Sequence, residues 1–114
     1  MMRRIVMLSV LAATPAMLSL LVASARADDG IPVTLQGHKF SPSVIHVKAN
    51  APTVIALTNK DAQAEEFDST ALKVEKVVAG NSSGNVRIRA LAPGKYPFMG
   101  EYHPGTAQGV VIAE

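Results

Sequence analysis

The sequence contains no cysteine and no tryptophan, and its aromatic side chains amount to three phenylalanines and two tyrosines. Without thiols there is no disulfide, no Cys-ligated zinc, no iron–sulfur cluster and no c-type haem attachment. Charged residues make up only 18% of the chain. Its lysines and arginines form no cluster, so the electrostatic footprint of a nucleic-acid binder is missing. Ser69, Ser82 and Ser83 have no histidine close in sequence, and no glycine-rich phosphate loop follows an expected strand. Hydrolase and nucleotide-binding readings therefore have no support.

What is present begins with an address. Met1-Met2-Arg3-Arg4 gives a basic start, Ile5 to Ala23 is almost wholly apolar, and Ala25-Arg26-Ala27 has the small-x-small form of a signal-peptidase site. The expectation is a signal peptide over 1–27, cut before Asp28. An uncleaved anchor is the alternative, since an apolar run of about 19 residues just spans a bilayer, but Pro15 interrupts the run. Cleavage would leave residues 28–114 as one domain, too short for two. Such a domain buries roughly 60 to 65% of its unfolded surface and needs well-satisfied sheet hydrogen bonds. The formal charge of +2 belongs to the whole chain. Arg3, Arg4 and Arg26 would leave with the leader, so eight basic residues would face nine acidic ones. An exported domain without disulfides fits a bacterial periplasm, with no membrane span after cleavage.

From Ile31 onward apolar residues recur with period two, and turn residues fall at short intervals. Strands are expected at Ile31 to Gln36, Val44 to Lys48, Thr53 to Thr58, Glu66 to Ser69, Lys73 to Val78, Asn85 to Ala90, Lys95 to Met99 and Gly109 to Ala113. Phe40-Ser41-Pro42, Ala51-Pro52, Asn59-Lys60-Asp61, Gly80 to Gly84 and Ala92-Pro93-Gly94 read as the turns between them. The Ala and Glu content of Asp61 to Ala71 also permits one helical turn there. The pattern predicts an all-β Greek-key sandwich of seven to eight strands.

The chemistry-bearing segment is Tyr96-Pro97-Phe98-Met99-Gly100-Glu101-Tyr102-His103, followed by Gly109 and the strand Val110-Val111-Ile112-Ala113. It resembles the cupredoxins. In that family Pro-Gly-x-Tyr-x-Phe leads to a ligand cysteine, a histidine follows in the next loop, often a methionine after it, and a glycine opens the last strand. Here Pro93-Gly94-Lys95-Tyr96-Pro97-Phe98 supplies the lead and Gly100 stands where the cysteine would be. His103 takes the histidine place and Ala107 falls about where the methionine would. Glu65 occupies about the position of the fold's first histidine ligand. A blue-copper centre needs a short thiolate bond and two imidazoles, so electron transfer of that kind is not expected.

Within the cupredoxins the chain is similar to small periplasmic proteins beside bacterial ferrous-iron permeases and to the cupredoxin-like domain of the iron-uptake lipoprotein. The shared features are Glu65-Glu66-Phe67, Leu72 with Glu75-Lys76, and Phe98 to His103 ahead of Thr106-Ala107-x-Gly109. The resemblance implies a periplasmic metal binder in ferrous-iron uptake, with copper as cofactor and iron as a substrate ion. It would act by copper-assisted Fe(II) oxidation or by delivery to an inner-membrane iron permease, with a companion periplasmic iron-binding protein. Two rivals stay open: a copper carrier without redox turnover, and a metal-free β-sandwich interaction module.

The expected metal ligands are His103, Glu101, Glu66, Glu75, Glu65 and Met99. Imidazole with carboxylates suits Cu(II), Fe(III) or Zn(II) better than Cu(I). Each has a plainer role. His103 before Pro104-Gly105 is also an ordinary loop histidine, and Glu101, two residues earlier on an extended strand, would share its face and equally fix its tautomer. Glu65 and Glu66 point to opposite faces if extended, and family similarity favours Glu66. Glu75 beside Lys76 reads as a surface ion pair, and Met99 as a gap filler. His38, in a loop, and His46, opposite Ile45 and Val47, are both expected to face water.

Overall fold

The computed structural model describes residues 30–114, so the leader and cleavage site expected over 1–27 lie outside the described residues. Nine strands follow one another: β1 (Ile31–Gln36), β2 (Lys39–Ser41), β3 (Val44–Val47), β4 (Thr53–Asn59), β5 (Glu65–Ser69), β6 (Val74–Val78), β7 (Ser82–Ile88), β8 (Gly94–Gly100) and β9 (Gln108–Ala113). They form two sheets, ordered β2-β1-β4-β7 and β3-β9-β8-β5-β6. The pairs β1·β4 and β3·β9 are parallel and the rest antiparallel. Among the described residues no helix is long and apolar enough to cross a membrane.

Period-two alternation explains the layering, because every second side chain turns into the space between the sheets. Val33 and Leu35 of β1, Ile55 and Leu57 of β4, and Val86 and Ile88 of β7 face Ile45 and Val47 of β3, Phe98 of β8 and Val111 and Ala113 of β9, all buried. All three phenylalanines of the chain meet in this core. Phe67 and Phe98 stack at 4.6 Å, and Phe40 meets them edge-on at 6.0 and 5.1 Å, arrangements that aromatic quadrupoles favour. The cluster underlies the end of the sandwich where β5 begins and β8 ends.

The expected strands are all present, and the helical turn allowed within 61–71 does not form: β5 occupies 65–69. The ninth strand is β2, which the sequence pattern leaves out. It has three residues and is joined to β1 by the two-residue turn Gly37-His38, with φ of 61° and 57°. Positive φ at both central positions marks the tight hairpin turn whose usual sequence is Asn-Gly or Asp-Gly. Gly-His carries no such signal. The turn is held from outside, since the Asp61 carboxylate accepts the Gly37 N–H at 2.8 Å and the His38 N–H at 3.0 Å.

Candidate metal centre

The site is built around Glu65, the first residue of β5. Alternation along the strand turns Glu65, Phe67 and Ser69 inward, and the Glu65 side chain is left 1% exposed. A buried carboxylate is costly unless its oxygens are bonded. Oε1 accepts the Tyr102 N–H at 2.9 Å and the Glu66 N–H at 3.2 Å. Oε2 lies 2.6 Å from His103 Nδ1, short enough for a charge-assisted bond.

His103 reaches this position because β8 stops at Gly100 and the chain turns back on itself. The His103 N–H donates to the Gly100 carbonyl, the Ala107 N–H to the His103 carbonyl and the Gly100 N–H to the Ala107 carbonyl, at 3.1, 2.9 and 2.8 Å. The glycine is required. A Cβ at position 100 would stand 2.6 Å from Glu65 Cδ, 2.8 Å from Glu65 Oε1 and 2.8 Å from Ala107 Cβ. The space that the family resemblance assigns to a cysteine side chain is therefore filled by the Glu65 carboxyl.

A second imidazole completes the cluster. The His38 ring, half exposed on the β1–β2 turn, stacks on the His103 ring at 3.6 Å with 15° between planes. His38, Glu65 and His103 each offer a ligand atom, all within 4.8 Å of one another. A thiolate copper centre does not fit this chain, whereas two imidazoles and a carboxylate fit an ion of intermediate hardness such as Cu(II) or Zn(II). Behind His38 stands Asp61, with Oδ2 3.5 Å from His38 Nδ1. The His38 and Gly37 N–H groups, and more weakly the two imidazoles, hold its carboxyl below the usual carboxylate range.

The remaining expected ligands sit elsewhere. Glu66 turns to the outer face of the five-stranded sheet, opposite to the preference that family similarity suggests, and the inward acid is Glu65. Glu101 shares no face with His103, because the extended strand ends one residue before it. Its N–H donates to the Glu66 carbonyl at 2.9 Å, which brings the two acids side by side on the outside. The hydrogen bond that a protonated Glu66 gives to Glu101, then desolvation, then the charges of Glu101, Glu75 and Asp68 push the Glu66 carboxyl up to about 7. Glu75 lies across from Asp68 on this face, and Met99, exposed, lies across from Asp68 on the other side. His46 faces water as expected, beside Glu114 at 2.6 Å. His38 is the residue that sequence reasoning missed, since nothing linear connects it to His103.

Comparison with known proteins agrees with this architecture. Amicyanin from Paracoccus versutus superposes with a TM-score of 0.59 at 16% identity, over 75% of this chain and 82% of that one. The metal-binding domain of the Streptococcus pneumoniae D39 Cu(I)-exporting P-type ATPase CopA, solved with Cu(I), gives 0.63 at 12% identity, over 74% and 83%. At these identities the likeness is one of fold. The uncharacterized protein RP394 of Rickettsia prowazekii (strain Madrid E) is 37% identical over 82 residues, 72% of this chain and 66% of the relative's length. Residues 5–113 match the family model described as a cupredoxin-like domain, and with the two-sheet fold this places the chain in the cupredoxin-like domain family.

Proposed function

We propose that this chain is an exported, periplasmic metal-binding protein that holds a divalent ion, Cu(II) foremost, between His103, Glu65 and His38. The observation that carries the reading is the convergence of three donors from three separate segments at the end of the sandwich where the family resemblance puts a metal. The ion would enter in exchange for the proton between Nδ1 of His103 and Oε2 of Glu65, so binding should release protons and weaken as pH falls. Titration of the metal-free protein with copper sulfate and zinc sulfate tests this. His103→Ala, and His103→Gln as the variant that keeps a hydrogen-bonding group over Glu65, should both abolish tight Cu(II) binding. Unchanged affinity in a folded variant refutes the assignment.

The ferrous-iron role is the finer form of this reading, and the acidic outer face favours it. Glu66, Asp68, Glu75 and Glu101 gather on the sheet that also contributes Glu65, a surface suited to attracting cations. Copper would there supply a one-electron step that converts Fe(II) to Fe(III), with dioxygen as the final acceptor, or the protein would deliver iron to an inner-membrane permease and its companion iron-binding protein. Copper-dependent Fe(II) oxidation separates the oxidase from a carrier without turnover. Since the Glu65 carboxylate is already fully bonded within the protein, the interaction-module reading makes an equally definite claim. It requires that neither copper, zinc nor iron raise the melting temperature, whereas a ligand that binds only the folded state must raise it.

A further inference from the structure

The β1–β2 turn is tied to the chain beyond β4 by a relay of polar groups that no strand pairing requires. Asn59, at the end of β4 and buried, donates from Nδ2 to the carbonyls of Gln63, Val78 and Ala79 at 2.8, 3.3 and 3.3 Å. Its Oδ1 accepts the Asp61 N–H at 3.0 Å. Asp61 in turn spends both carboxylate oxygens on the turn, Oδ1 on the Gly37 N–H and Oδ2 on the His38 N–H, and Oδ2 faces His38 Nδ1 at 3.5 Å. Left-handed backbone at a non-glycine residue such as His38 is strained, so the turn needs an external hold. Asp61 supplies it.

We infer that Asp61 is a positioning residue for His38: it locks the turn that carries the imidazole over His103 and favours the proton on Nδ1, leaving Nε2 with the lone pair. A carboxylate behind a histidine commonly fixes ring orientation and tautomer at metal centres, and its loss costs 10- to 100-fold in affinity, by order of magnitude. The inference rests on the metal-binding reading for its consequence, though not for its geometry.

Two measurements test it. In the metal-free protein at mildly alkaline pH, nitrogen-15 NMR of the imidazoles should show His38 as the Nδ1–H tautomer, and Asp61→Asn should move it towards Nε2–H. In zinc sulfate titrations, Asp61→Asn should weaken binding about tenfold, with no further loss when added to His38→Ala. A merely structural role would instead lower affinity equally in both backgrounds. That result overturns the inference, as does a His38 found as Nε2–H in the unaltered protein. If the unaltered protein binds neither zinc nor copper, the proposed function falls, and the tautomer measurement still decides the role of Asp61.

Discussion

Two histidine–glutamate pairs in this molecule have the same 2.6 Å separation and opposite surroundings. His103 and Glu65 meet at the end of the sandwich with side chains 26% and 1% exposed, whereas His46 and Glu114 meet on an open strand edge at 60% and 65%. Distance alone therefore does not rank them. In water the attraction is screened and each partner is solvated without the other, so an exposed pair contributes little. Inside, the carboxylate has lost its water, and removing its partners leaves a buried charge uncompensated. The third pair of charged groups, Glu66 and Glu101, shows the same rule from the other side: two like charges forced together on a surface compromise by sharing a proton.

The largest effect is expected from Glu65→Ala, which strips His103 and the Tyr102 N–H of their partner and opens a void beside Ala107. Urea unfolding should show a loss of about 3 kcal/mol from the unbonded donors and the cavity, and a loss below about 1 kcal/mol would break the contrast between the two histidine pairs. Gly100→Ala should follow, at about 1 to 3 kcal/mol, because the new methyl falls within 2.8 Å of atoms of Glu65 and Ala107. Shortening Glu65 to Asp should restore only part of the loss, because the contact with Ala107 Cβ remains.

The outer face predicts a pH effect of definite sign. The folded protein keeps a proton on Glu66 up to about 7 against 4.5 for an ordinary glutamate, so between those values it binds more protons than the unfolded chain. Stability should fall as pH rises through that window. Glu101→Gln should flatten the slope, and added salt should reduce it. Asp61 acts oppositely: its depressed folded value contributes stability above the ordinary aspartate range that is lost as the medium is acidified through the folded value. The smallest effect belongs to His46→Ala, which should change the urea midpoint by under about 1 kcal/mol. A cost equal to that of Glu65→Ala would mean that burial is not what separates the two pairs.

The architecture was legible because alternation writes strands directly into the chain: Val33-x-Leu35, Ile55-x-Leu57 and Val86-x-Ile88 announce their inward faces without knowledge of their partners. The candidate site is legible in halves. His103 and Glu65 stand at positions that the family pattern marks, yet choosing Glu65 over Glu66 required the phase of β5, and the two residues differ by a single step of the pleat. A face shared by Glu101 and His103 requires the strand to continue past Gly100, whereas the hydrogen bonds among Gly100, His103 and Ala107 end it. His38 was invisible for a different reason. Its place depends on a left-handed turn clamped by an aspartate 23 residues away, an arrangement with no linear signature.

The parallel pairing of β3 with β9 carries a temporal consequence. β3 is the edge of its sheet and β9 is its one neighbour there, so this early segment has nothing to hydrogen-bond with until the final strand has emerged. Contacts so distant along the polypeptide close slowly. The two-sheet core would then stay incomplete, and the cluster of His38, Glu65 and His103 unassembled, until β8 and β9 have paired.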